Sequence, residues 1–240
     1  MRWTGPDHSR GVSRALAREF RLLARSSKSC KPAGPMIRDQ DGDGPRRIGF
    51  LLLPRFSMMC LLSAVEPLRA ANRTLGRRAY DWRFLSVDGD PVAASNGIPI
   101  AAESIDRATD LPAVCVVASY EPLAAVDARL LRWLRRRAGN GCDLGALETG
   151  ASVLAEAGLL RGRRVTTHWE TLDAFSEAYL DVDARDSLYE IDGPVFTAPG
   201  AGAAMDLFLH LIGHHHSTAV ATSVAEQFLH SEIRAAGAGQ

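Results

Sequence analysis

The stretch CDLGALETGASVLAEAGLL, Cys142 to Leu160, places Glu148 between Gly145 and Gly150, where a strand-like run gives way to a helix-like one. A strand–turn–helix elbow of this kind holds one side chain above a sheet beside free helix N–H groups, and enzymes mount serine or cysteine nucleophiles there. A carboxylate in that place does different chemistry. Helix N–H groups and the helix dipole favour its ionised form, so Glu148 would present a fixed negative charge. Two readings follow: with Thr149 beside it in the turn, it anchors a cationic or amine-bearing ligand, or it serves only its own helix, worth under ~1 kcal/mol. A nucleophilic role for Glu148 lacks a second carboxylate to work with it.

Three further segments carry reactive or recognising side chains. TTHWE, Thr166 to Glu170, follows a strand-like run. His168 there could act as a base, bond a ligand, or cap the next helix. Trp169 could offer a π face to a cation, with Tyr120 opposite, a contact worth ~0.5–2 kcal/mol; core packing is the other use of such a ring. SYEP, Ser119 to Pro122, ends another apolar run, and its backbone N–H groups could complete an oxyanion-type hole or simply make a turn. HLIGHHHS invites a metal, but His214, His215 and His216 splay over different helix faces with no Cys or carboxylate spaced to join them. They read as a solvated helix end, and His210 and His214 lack the intervening glutamate of a zinc-peptidase helix. The sequence assigns neither a metal nor a cofactor.

The elements that must position these residues alternate. RIGFLLL and AVCVVAS are apolar runs of strand length, as strands buried on both faces require. Ser57 can cap a helix with apolar residues at Met58, Leu61, Leu62, Val65 and Leu68. YDWRFLSVDG predicts a strand, PVAASNGIPI a hairpin around Asn96-Gly97, and ARLLRWLRRRAG an amphipathic helix closed by Gly139. The elbow helix should end near Gly158. RRVTTH predicts a further strand, with a helix from about Glu170, strands around SLYEID and PVFTAP, and two long terminal helices. Strands alternating with helices imply an α/β fold, a mostly parallel sheet with helices on both faces.

At 240 residues and 46% hydrophobic, the chain can bury a full core. Its charges cancel overall but not along its length. Residues 1–35 hold eight Lys/Arg against Asp7 and Glu19, a net of +6, so the remaining 205 residues carry −6. An acidic body argues against a nucleic-acid groove on the globular part. The four cysteines lack C-x-x-C spacing, and Cys115 and Cys142 read as buried free thiols in a reducing compartment. No apolar run reaches the ~18 residues of a membrane span and no signal peptide opens the chain, so a cytoplasmic protein is expected. Residues 1–45, with their Arg-rich start and Ser/Lys/Pro/Gly tract, predict a disordered leader or one translated from an upstream start, Met36 being the alternative.

Several segments together resemble one family: IGFLLLPRFSMMCLLSAVEPLRAAN, ASNGIPI, LGALETGASVLAEAGLLRGRRVTTHWE, SLYEIDGPVFTAPGAGAAMDLFLHLI and SVAEQFLHSEIR. They look like the N-terminal domain of GlxA-type regulators in the AraC transcription-factor family, over roughly residues 46–234. That domain is similar to PfpI proteases and class I glutamine amidotransferases, which implies a flavodoxin-like three-layer sandwich. The subgroup it looks most like is associated with amino acids and quaternary ammonium compounds. Two departures matter. PfpI-like hydrolases place cysteine where this chain has Glu148, and an acid on the first helix where it has Cys60, so His168 stands without its nucleophile. Such regulators also continue into a pair of helix-turn-helix motifs of on the order of one hundred residues, whereas SEIR is followed here by the short tail of residues 235–240.

The reading is therefore a non-catalytic domain expected to sense a small effector, cationic if Glu148 serves as its anchor, through Glu148, Thr149, His168, Trp169, Ser119 and Tyr120. It would lack its DNA-binding half, contact neither nucleic acid nor membrane, and dimerise as the resemblance implies. The alternatives are a PfpI-like hydrolase or hydratase with an atypical nucleophile, and a stand-alone binding or dimerisation protein.

Overall fold

Residues 44–240 are described by a computed structural model; the leader expected over residues 1–45 lies outside them but for its last two positions. RIGFLLL lies in β1 (Arg46–Leu52) and is buried from Ile48 onward, as a central strand must be. The helix α1 (Met58–Leu75) opens where Ser57 Oγ accepts a bond from Cys60 N at 3.3 Å, and it closes on Gly76 at φ 63°. Leu61, Val65 and Leu68 bury the face that their spacing predicts.

The strands β2 (Tyr80–Ser86), β5 (Glu103–Ser104), β6 (Ala113–Ala118), β7 (Asp143–Glu148), β10 (Glu190–Asp192) and β11 (Val195–Ala198) complete one seven-stranded sheet. Its order is β10-β11-β7-β6-β1-β2-β5, with only the β10–β11 pair antiparallel. The hairpin around Asn96-Gly97 is present as β3 (Val92–Ala93) against β4 (Pro99–Ile100), with Gly97 at φ 84°. The remaining helices are α2 (Ala128–Gly139), α3 (Gly150–Glu156), α4 (Trp169–Ala178), α5 (Ala201–His215) and α6 (Thr218–Gln227). One apolar core joins the sheet to α1, α5 and α6; a second joins its other face to α2, α3 and α4. This is a flavodoxin-like α/β sandwich. Strands are added outward in both directions from β1 and β6, and open α/β sheets bind ligands at the carboxyl ends of strands beside such a reversal.

Two expectations need correcting. RRVTTH yields only β8 (Arg164–Val165), which pairs with β9 (Asp183–Ala184) outside the main sheet. Side chains satisfy its amides instead: Arg164 N donates to Asp192 Oδ2 at 3.0 Å and Thr166 N to Thr197 Oγ1 at 2.9 Å. The histidine run is not uniformly solvated either. His214 is exposed, but His215 and His216 pack against buried Tyr80, whose hydroxyl lies 3.0 Å from His215 Nδ1. A buried tyrosine needs such a partner.

Beyond α6 the chain is irregular yet tied down. Asp206, fully buried on α5, receives His230 Nε2 at 2.8 Å, Arg234 N at 3.0 Å and Arg234 Nε at 2.8 Å. Residues 235–240 lie along the body: Leu188 N donates to the carbonyls of Ala236 and Ala238 at 3.1 and 2.9 Å. Among the described residues no helix is long and apolar enough to cross a membrane.

Candidate functional site

The elbow is built by close approach. A Cβ on Gly150 would sit 2.5 Å from the Val116 carbonyl oxygen, so only glycine lets α3 start this near β6. The chain reaches that point through Glu148 at φ 58°, a left-handed conformation that costs a residue with a Cβ about 1–2 kcal/mol. Neighbouring bonds hold it there. Thr149 Oγ1 donates to the Ser119 carbonyl at 2.6 Å, and Thr167 Oγ1 donates to the Glu148 carbonyl at 3.0 Å. His168 N reaches the same Glu148 carbonyl at 3.3 Å.

The Glu148 carboxylate is gripped on both oxygens. Ser119 Oγ donates to Oε1 at 2.5 Å, and Cys60 Sγ donates to Oε2 at 3.3 Å. Thus the SYEP loop contributes the Ser119 hydroxyl to this carboxylate. Burial, and then the facing Glu148 charge, push the Cys60 thiol well above the ordinary thiol range. It stays a neutral donor rather than a thiolate nucleophile. The three cysteines among the described residues, Cys60, Cys115 and Cys142, are buried and free of disulfides.

His168 caps α4. Its Nδ1 accepts from Glu170 N at 3.4 Å, so the ring serves the start of this helix. Its ring lies 5.7 Å from that of Trp169, which is 64% exposed. Tyr120 is exposed as well, and its ring already faces a cation: the Arg55 guanidinium lies 5.2 Å from the ring centroid. Arg55 also pairs with Glu121 at 2.6 Å. Of the six residues singled out, Glu148, Thr149, Ser119 and His168 are joined by direct hydrogen bonds; Trp169 joins them through His168, and Tyr120 sits on the adjoining Arg55 turn.

Sequence reasoning missed Arg55 and Thr167. Pro54 after β1 marked a turn at a carboxyl strand end, the signal that could have drawn attention to Arg55. A cavity of about 470 Å³ opens beside that turn, lined by Leu53, Pro54, Arg55, Asp90, Val92 and Asp127 among others. Among the described residues no group of three or more His, Cys, Asp or Glu could hold a metal ion.

The DJ-1/PfpI family profile matches residues 47–214. The chain is 48% identical over 186 residues to the HTH-type transcriptional regulator CdhR of Pseudomonas aeruginosa, covering 77% of this chain and 55% of that protein. It is 34% identical over 207 residues to the HTH-type transcriptional regulator GlxA of Rhizobium meliloti, covering 85% and 64%. A crystal structure of an AraC family transcriptional regulator from Pseudomonas putida superposes with a TM-score of 0.71 at 27% identity, covering 77% of this chain and all of that one. The chain spans little more than half the length of the curated relatives it matches. Those relatives are transcriptional regulators, and the fold, the elbow and the family match agree: this chain belongs to the DJ-1/PfpI family.

Proposed function

We propose that residues 46–234 are the ligand-sensing domain of an AraC/GlxA-type transcriptional regulator, and that the domain binds its effector without transforming it. The observation that carries this reading is the elbow itself. Where nucleophilic catalysis of the PfpI type needs a thiolate, Glu148 stands with Ser119 and Cys60 on its two oxygens, and that thiol is held neutral. Effector recognition is assigned to Glu148, Thr149, Ser119 and His168, with Trp169 and Tyr120 as aromatic walls. The fixed carboxylate favours a small amine or quaternary ammonium compound. Reading of DNA is assigned to the half of the relatives that this chain does not match. A homodimer in the cytoplasm completes the reading.

Thermal-shift titration of the full chain with tetramethylammonium, choline and butylamine, with acetate as control, tests it. Cations should raise the melting temperature, and Glu148→Gln should weaken the best of them about tenfold, ~1.4 kcal/mol. Equal affinity in parent and variant would remove the charge role. Turnover of esters, amides or aldehydes that a thiol-blocking reagent abolishes would replace sensing with catalysis.

A further inference from the structure

We propose that residues 228–240 form a strap that couples the elbow to α5, so that whatever displaces the Glu148 loop also displaces this segment. As a route for effector signalling it rests on the sensing reading above.

The strap begins with a sharp turn: Leu229, just past α6, sits at φ 54° and is almost wholly exposed. Its anchor is Asp206. This carboxylate has no exposed surface, and among the described residues its hydrogen-bond partners come from the strap: the His230 and Arg234 side chains and the Arg234 amide. A buried charge is tolerable only when paired and hydrogen-bonded, so lifting the strap would strand Asp206 in the core. Its seat is thus well defined, although it forms no helix or strand there and only Phe228, Ile233 and Ala236 lean on the core.

From that clamp the strap runs to the elbow. Ala236 and Ala238 accept from Leu188 N, and Gln240 N donates to Asp186 Oδ1 at 3.2 Å. Gln240 Nε2 then donates to Thr166 Oγ1 at 3.2 Å and to the Thr167 carbonyl at 3.1 Å. Thr167 and His168 both bond the Glu148 carbonyl. Hydrogen bonds, with short stretches of backbone between them, therefore join the Asp206 clamp to the residue at the elbow's apex. Coupling through such a series is reciprocal: loosening either end must loosen the other.

Amide hydrogen exchange of the full chain, with no ligand present, reads this directly and leaves the sensing reading to its own test. Arg234→Ala should speed exchange of Leu188 N about tenfold and of His168 N at least about threefold, while core amides of β1 and β6 keep their protection. Gln240→Ala, which leaves the Asp206 clamp residues in place, should speed His168 N. Conversely, Thr167→Val should speed Leu188 N. Should Arg234→Ala loosen β1 and β6 as well, the milder Gln240→Ala decides. Unchanged His168 exchange in Gln240→Ala, or unchanged Leu188 exchange in Thr167→Val, overturns the proposal.

Discussion

At the scale of single residues, the site is governed by which groups hold their protons. Burial raises all three described thiols; Cys142 is pushed up to about 11, with Arg137 beside it only partly opposing. Cys60 and Cys115 rise further. The unfolded chain ionises its thiols near the ordinary value of 9.0, while the folded chain does not. The stability these neutral thiols contribute is therefore complete below about pH 9 and is lost as pH rises through the folded values, by about 1.4 kcal/mol per pH unit for each thiol. Melting temperature should fall between about pH 8 and about pH 10.5, and Cys142→Ala should shrink that fall. An identical fall in the variant would remove Cys142 from the account. The identity of Glu148 and its place at the turn were legible in the sequence, because small residues flank it and the runs on either side differ in period. Its grip by Ser119 and Cys60 was not, since those partners lie 29 and 88 positions away and only the fold brings them within bonding distance.

At the scale of elements, the long apolar runs and capped helices were readable because each is decided locally. Ser57, Asp127 and Ser217 all cap helices through their own side chains. The segment RRVTTH was not. It reads like a sheet strand, yet side chains of Asp192 and Thr197 take the amides of Arg164 and Thr166, a competition that no periodicity records. Where α3 meets β6, tolerance should be least. Gly150→Ala drives a methyl against a backbone carbonyl that cannot move without disturbing β6, and should cost roughly 1–3 kcal/mol in urea unfolding. Loss of under ~0.5 kcal/mol would show that the elbow has slack.

At the scale of the whole molecule, charge is segregated: +6 over residues 1–35 and −6 over the rest. Any affinity of the full chain for duplex DNA should then be non-specific and fall steeply with salt, as counterion release demands. A base-sequence preference surviving about 0.2 M salt in competition gel shifts would contradict this. A mostly parallel sheet with helices on both faces was evident from alternation, while its flavodoxin-like form was implied by the family resemblance. The course of the last thirteen residues was not, because it depends on partners distant in sequence, among them Asp206, buried within α5.

The facing of Cys60 and Glu148 constrains how such a site can change over generations. The thiol donates to the carboxylate, so neither position can change alone without leaving the other group without this bond. Replacing Cys60 takes away the donor to Glu148 Oε2, and replacing Glu148 leaves a buried thiol without the acceptor it bonds. A first change at either position therefore favours a compensating change at the other.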